Sequence, residues 1–267
     1  MDVPKEDREP GKALRKLGRK EASSEREQRM LRRISDEYET LEEVFDRKTL
    51  FILYRMINEG IIEIVHGIVA SGKEARIYVA ETSRGEAAAV KIFLTATAEF
   101  RRGRLKYIVG DPRFEGVSTR SRKLIYAWAS KEYKNLLKAH GCGVNVPKPL
   151  HHEGNVLVME FIGRDFIPAS TLRERERLSE RLFKQVMNQT RRLYQKAGLI
   201  HADLSEFNIF YFNRKAILFD FAQAVLKGHP MAEQFLVRDV SNILNFFSRR
   251  GLGVWSLEEA MNWVKEA

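Results

Sequence analysis

Three runs rich in isoleucine, valine and alanine, "IIEIVHGIVA" (61–70), "ARIYVAE" (75–81) and "AAAVKIF" (87–93), follow one another almost without interruption. The turns between them, at Ser71–Gly72 and Arg84–Gly85, hold only a few residues and contain glycine. A crossover between parallel strands needs a dozen residues or more, so these runs are read as an antiparallel meander. Upstream, "TLEEVFDRKTLFILYRMINEG" (40–60) carries apolar residues at helical spacing, with Thr40 and Asp46 as N-cap candidates and Gly60 as a stop. Downstream, "SRKLIYAWASKEYKNLLKAHG" (121–141) is helical again, and "PKPLHHEGNVLVMEFIG" (147–163) gives two further strands around Glu153–Gly154. Residues 171–197 read as one long charged helix, followed by a hairpin turning at Asn213–Arg214 and by helices to the end. The expectation is an α+β chain with an arm (1–39), a sheet-bearing N-lobe (40–162) and a mainly helical C-lobe (163–267). The segment 95–123, with eight basic residues against three acidic and four scattered glycine or proline positions, is expected to be a mobile loop.

The 267 residues suffice for two lobes, and 44% hydrophobic residues is ordinary for a globular chain. No apolar run approaches the ~20 residues that cross a bilayer, the first residues lack a secretory pattern, and Cys142 is the sole cysteine. These features lead to the expectation of a soluble cytoplasmic protein with no membrane partner. A net charge of +10 favours anionic partners, but does not choose between RNA and a nucleotide.

The chemistry concentrates in "HADLSEFNIFYF" (201–212) and "ILFDFA" (217–222). Asp203 and Asn208 are five residues apart on one loop, and Asp220 follows the next strand-like run. An acid, an amide and a second acid so spaced suit phosphoryl transfer. Asp203 can take the proton of an attacking hydroxyl, while Asn208 and Asp220 offer hard oxygens to Mg²⁺. Short polar clusters also make plain turns, so the remaining parts carry weight. Lys91 in "AVKIF" can hold phosphates, and Glu132 in "ASKEYKNLL" can orient it, with Glu99 the weaker alternative. The turn "ASGKEA" brings Ser71 and Lys73 over phosphates, although it matches neither G-x-G-x-x-G nor a Walker A motif. In "VMEFIG" the backbone at Glu160 and Ile162 can meet an adenine edge. The parts occur in the chain order that a protein-kinase-like site requires.

With those strings in place, the sequence resembles a RIO-type atypical serine/threonine protein kinase. "SGKEARIY", "AVKIF", "YIVGDPRF", "HADLSEFNIFYF" and "LFDFAQAV" carry the likeness over roughly 45–267, and "YIVGDPRF" points to the first RIO subfamily, with an archaeal member suggested by the short chain. The resemblance implies a trimmed bilobal kinase-like fold without an activation loop, in keeping with the absence of A-P-E after "DFAQAV". It implies ATP with Mg²⁺ or Mn²⁺, serine autophosphorylation, and work on the pre-small ribosomal subunit and its RNA; Ser118, Thr119 and Ser121 in the basic segment are candidate acceptors, with RNA contact the alternative use of that segment. It further implies that Asp220 accepts a phosphoryl group in an ATPase cycle. Two departures from ordinary kinases stand out: Ala202 replaces the usual arginine, and Asp220-Phe221-Ala222 lacks the usual glycine.

Three other readings compete. A small-molecule phosphotransferase of the aminoglycoside or choline type shares H-x-D-x-x-x-x-N but generally pairs it with an acidic pocket. A pure RNA-binding module leaves Asp203, Asn208 and Asp220 unexplained. Metal binding by Cys142, His151 and His152 lacks a recognised zinc spacing.

Overall fold

A computed structural model describes residues 45–94, 98–118 and 122–266, with the side chains of all but 98–102. The arm 1–39, Thr40, Thr119, Ser121 and the Glu99 side chain lie outside the described residues. Two compact units divide the chain after Asn58. The first contains α1 (Arg47–Asn58), capped as expected by Asp46, whose Oδ1 accepts from the Lys48 and Thr49 backbone N–H groups at 3.0 and 3.3 Å. The described residues from Glu59 onward form the second.

The second unit opens with β1 (Ile64–Ser71), β2 (Ala75–Glu81) and β3 (Ala87–Phe93), the expected meander. With β4 (Pro149–Glu153) and β5 (Val156–Glu160) they form one antiparallel sheet in the order β1-β2-β3-β5-β4. The middle position belongs to β3, which is why its residues after Ala87 are all buried. Lys91 sits in this strand, opposite Ile77 on one side and Leu157 on the other.

Between β3 and β4 run α2 (Ala98–Ile108), a 3₁₀ turn (Pro112–Phe114) and α3 (Arg122–Gly141). The described part of 95–123, where a loop is expected, contains α2, the 3₁₀ turn and the start of α3. Helix α2 escaped notice because the buried aromatic Tyr107 sits among four basic residues, and Gly103 interrupts the helix. One of its anchors is a charged residue: Arg104 is buried, pairs with Glu74 and lies 5.3 Å over the Trp128 ring. The 3₁₀ turn is capped by Asp111, which accepts from the Arg113 backbone.

After β5 the chain makes two short strands, β6 (Gly163–Arg164) and β7 (Ile167–Pro168), then a 3₁₀ turn (Leu172–Glu174) and α4 (Glu180–Gln195). The long helix expected over 171–197 is therefore divided. Thr171 and Glu174 close one turn with a capping box, and Ser179 starts a new helix by accepting from the Leu182 N–H. Then come β8 (Leu199–Ile200), the hairpin β9 (Ile209–Phe212) and β10 (Lys215–Leu218), β11 (Val225–Leu226), α5 (Ala232–Arg249) and α6 (Leu257–Lys265). The hairpin turns at Asn213–Arg214, both with positive φ (48° and 62°), as the twist-matching two-residue turn demands. Trp128, Phe183, Phe221 and Phe247 belong to one core that joins α3 to α4 and α5. No helix among the described residues is long and apolar enough to cross a membrane.

Candidate active site

The site begins with a lysine that the sheet forces indoors. Lys91 is 5% exposed, and a buried ammonium is tolerated only with charged partners. It has two: Nζ donates to Glu132 Oε1 and Oε2 at 2.9 and 2.8 Å and to Asp220 Oδ1 at 2.9 Å. Burial alone would lower the lysine pKa, but Asp220 and Glu132 more than reverse this and keep it protonated. Burial pushes Glu132 upward, opposed by Lys91. Burial would also raise Asp220, yet the ammonium outweighs it and holds that carboxyl below its ordinary value. The result is an ionised Asp220 whose side chain is still 41% exposed.

Asp220 stands at φ +61°, a conformation that costs a non-glycine residue energy and that its surroundings must enforce. Its neighbour Phe219 donates its N–H to the Asn208 carbonyl (3.0 Å) and offers its own carbonyl to His201 Nε2 (2.9 Å). His201 is buried, and burial takes its pKa down to about 4, so the ring is neutral near pH 7 with its proton on Nε2. The loop 201–208 is thereby tied to the strand leading into Asp220. Within it, Asn208 Nδ2 donates to the Asp203 carbonyl at 2.8 Å and to Asp203 Oδ2 at 3.4 Å. Gln223 Nε2 adds a bond to the same carboxylate at 3.1 Å. Burial, then the Asp220 charge, raise the Asp203 pKa, the direction that suits a proton acceptor working near neutrality.

A cleft of about 480 Å³ gathers Ser71, Lys73, Lys91, Glu132, Asp220 and Gln223, with Met159 at the end of β5. Asp203 and Asn208 do not line it but adjoin it through Gln223. Glu160 and Ile162 also lie outside its lining. The Glu160 N–H is bonded to the Lys148 carbonyl (2.8 Å), and the Ile162 carbonyl accepts from Ala169 (2.8 Å). Gly72 closes the turn between β1 and β2 by donating to the Ala75 carbonyl at 3.0 Å.

Because the Asn208 amide nitrogen is committed to Asp203, its oxygen is left for another partner, and the ionised Asp220 supplies a second hard oxygen. Two protein oxygens fit Mg²⁺, which keeps waters and phosphate oxygens in its shell. The described residues contain no group of three His, Cys, Asp or Glu placed to hold a metal alone. His152 bonds the Gly154 carbonyl, and Cys142 Sγ contacts the Lys196 carbonyl.

Sequence reasoning missed the supports beneath this site. Asp239 on α5 is buried and accepts from the Ala202 and Leu204 N–H groups at 2.7 and 3.0 Å, burial raising its pKa to about 7. Asn242 Nδ2 donates to the Leu204 carbonyl at 3.0 Å, and Arg238 donates to that of Ala202. A signal existed in "FLVRDVSNILNFF", where an acid stands on the apolar face of a helix, a position that demands a partner.

The family model for the RIO domain matches residues 76–260. Human serine/threonine-protein kinase RIO1 is 38% identical over 232 residues, covering 85% of this chain and 41% of the human protein. The RIO-type serine/threonine-protein kinase Rio1 of Methanocaldococcus jannaschii is 39% identical over 220 residues, 82% of this chain and 75% of that one. Among solved structures, the Rio2 kinase-ADP/Mg²⁺-phosphoaspartate complex from Chaetomium thermophilum has a TM-score of 0.58 at 23% identity, covering 80% of this chain and 66% of that chain. The shared architecture is that of a trimmed protein-kinase-like fold.

Proposed function

The chain belongs to the RIO domain family, and from that premise we propose that it is an ATP-dependent phosphotransferase, a serine/threonine protein kinase that also hydrolyses ATP. The observation that carries the reading is the convergence of Lys91, Glu132 and Asp220 within 2.9 Å in a cleft beside Asp203 and Asn208. Lys91 is charged, rigidly held and open to the cleft, so it can neutralise nucleotide phosphate oxygens. Ser71 and Lys73 cover the same end, while Glu160 and Ile162 would offer backbone groups to the base. Asn208 and Asp220 would hold Mg²⁺ or Mn²⁺, which supplies positive charge to the phosphates when bound. Asp203, with its raised pKa, takes the proton from the attacking hydroxyl of a protein serine or of water.

A second acceptor belongs to the same proposal. The partly exposed, ionised Asp220 carboxylate attacks the γ-phosphorus, the bond from that phosphorus to the bridging oxygen breaks, and ADP leaves with the electron pair. Water then attacks the phosphorus of the acyl phosphate and gives a proton to Asp203, the bond from phosphorus to the Asp220 oxygen breaks, and inorganic phosphate departs with Asp220 restored as a carboxylate. The Chaetomium Rio2 structure, whose phosphoaspartate is that protein's own, makes this step worth testing here. We further propose autophosphorylation at Ser118, Thr119 or Ser121, of which Ser118 is exposed. The proposal extends to the cytoplasm, to the pre-small ribosomal subunit and its RNA as partners, consistent with a charge of +10, and to an arm at 1–39 with lobes meeting at 162–163.

Incubation with γ-labelled ATP and Mg²⁺ tests it. The expected result is a hydroxylamine-sensitive label that vanishes in Asp220→Asn while ATP binding is retained. Hydroxylamine-sensitive label that survives in Asp220→Asn would move the carboxylate acceptor elsewhere, and a wild-type protein that neither takes label nor releases phosphate would end the phosphotransferase reading.

A further inference from the structure

Helix α3 does more than present Glu132. Three side chains on one of its faces reach the segment that follows Asp220, each through a different chemistry. Lys131 Nζ donates to the carbonyls of Ala222 (3.2 Å) and Gln223 (3.4 Å). The Glu132 carboxylate accepts from the Phe221 N–H. Asn135 Nδ2 donates to the carbonyls of Phe221 (3.1 Å) and Ala224 (3.0 Å). Lys131 and Asn135 are each 1% exposed. A lysine and an amide so deeply buried, bonded to consecutive backbone carbonyls, are not explained by helix formation or by the apolar core.

The back of α3 is held in turn by the string "YIVGDPRF", which the chemistry of transfer leaves without a task. Asn135 Oδ1 accepts from Arg113 Nη1 at 2.6 Å, and Arg113 forks through Nε and Nη2 onto the two Asp111 oxygens at 2.8 and 2.6 Å. Tyr107 and Phe114 each stand 5.9 Å from the Lys131 ammonium, with Trp128 at 4.4 Å. Gly110, at φ +85°, lies so close to Pro230 that an added Cβ would come within 2.6 Å of that ring. The path therefore runs without a break: Asp111, Arg113, Asn135, the Phe221 and Ala224 carbonyls.

We infer that Asn135, Lys131 and Arg113 are positioning residues that brace segment 221–224 and so hold Asp220 in its left-handed conformation, with its carboxylate set for metal beside Asn208. None of them touches a reacting atom. The inference rests on the phosphotransferase reading for its purpose, but its test does not need turnover.

The informative variant is Asn135→Asp, which has the same size and still accepts from Arg113 but cannot donate to the two carbonyls. The probe is Mn²⁺ titrated in the presence of ADP, with free Mn²⁺ read by electron paramagnetic resonance, at temperatures below the melting transition of each protein. Removing a partner that orients a metal ligand typically costs about 10–100-fold in affinity, and a loss of that order is the expected result. The conservative Arg113→Lys, which keeps the charge but not the fork, is expected to shift Mn²⁺ affinity in the same direction by less. If folded Asn135→Asp binds Mn²⁺ as the wild type does, the brace is overturned. If that variant does not fold, an unchanged Mn²⁺ affinity in Arg113→Lys overturns it instead. Absence of ATP turnover in wild-type protein that binds Mn²⁺ and ADP would sink the phosphotransferase reading and leave the brace standing.

Discussion

Replacing Lys91 by methionine isolates the charge at the centre of the site, because methionine preserves most of the side-chain stem and its packing between Ile77 and Leu157. What disappears is an ammonium 2.8–2.9 Å from both Glu132 oxygens and from Asp220. At an effective dielectric of about 20, one such contact is worth about 6 kcal/mol before desolvation is counted. Removing one member of a buried ion pair costs about 3–5 kcal/mol, since a charge is left without its partner. Glu132, with 0% exposure, cannot turn to water. Its escape is to bind a proton, and Asp220 can reach solvent, so the lower end is expected: about 3 kcal/mol in urea unfolding near neutral pH. The double variant Lys91→Met/Glu132→Gln removes both members and should recover at least half of that loss, a coupling of more than about 1 kcal/mol. If the two substitutions instead add, each costing the same alone and together, the Lys91–Glu132 contact is not the energetic unit described here.

Other expectations follow from the same geometry. His201 has a folded pKa of about 4 against an ordinary 6.5, so its contribution to stability is present above about pH 6.5 and is lost as pH falls through about 4. His201→Phe should therefore lose less stability than the wild type between about pH 7 and about pH 4.5, and equal slopes in urea unfolding across that range would refute the assignment. Gly110→Ala meets both a left-handed backbone and the Pro230 ring, and should destabilise by about 2–4 kcal/mol. Gly116→Ala, at φ +70° with nothing nearby, should cost only the backbone strain of about 1–2 kcal/mol; comparable melting temperatures for the two would show that Pro230 exerts no constraint.

The convergence of Lys91, Glu132 and Asp220 was legible before any fold was known, because these residue types so spaced suit few arrangements besides the proposed chemistry. A lysine in the middle of an apolar strand, and an acid, an amide and an acid around a short hairpin, have few other uses. The meander and the Asn213–Arg214 turn were legible for a similar reason, since few sequences fit those backbones. Helix α2 was not, because charge anchors it: Arg104 reaches Glu74 and the Trp128 face, contacts that no periodicity announces. Lys131 and Asn135 were hidden in "SKEYKNLL", where polar residues look like a solvated helix face. Only tertiary contact with a loop some 90 positions later, through the Ala222 and Phe221 carbonyls, reveals them as buried. The break before α4 was missed because Thr171–Glu174 and Ser179 both cap, and a helical pattern alone does not say which cap begins the long helix.

The proposed role of Asp203 is that of the base of a magnesium-dependent phosphoryl transfer beside the cleft. Its most direct test is the rate of γ-phosphate transfer from ATP, to protein and to water together, in wild type and in Asp203→Asn. Asparagine can still accept from Gln223 and Asn208 but cannot take a proton. The account expects Asp203→Asn to bind ATP as before and to react about 10²–10⁴-fold more slowly; transfer at the wild-type rate in that variant would contradict it.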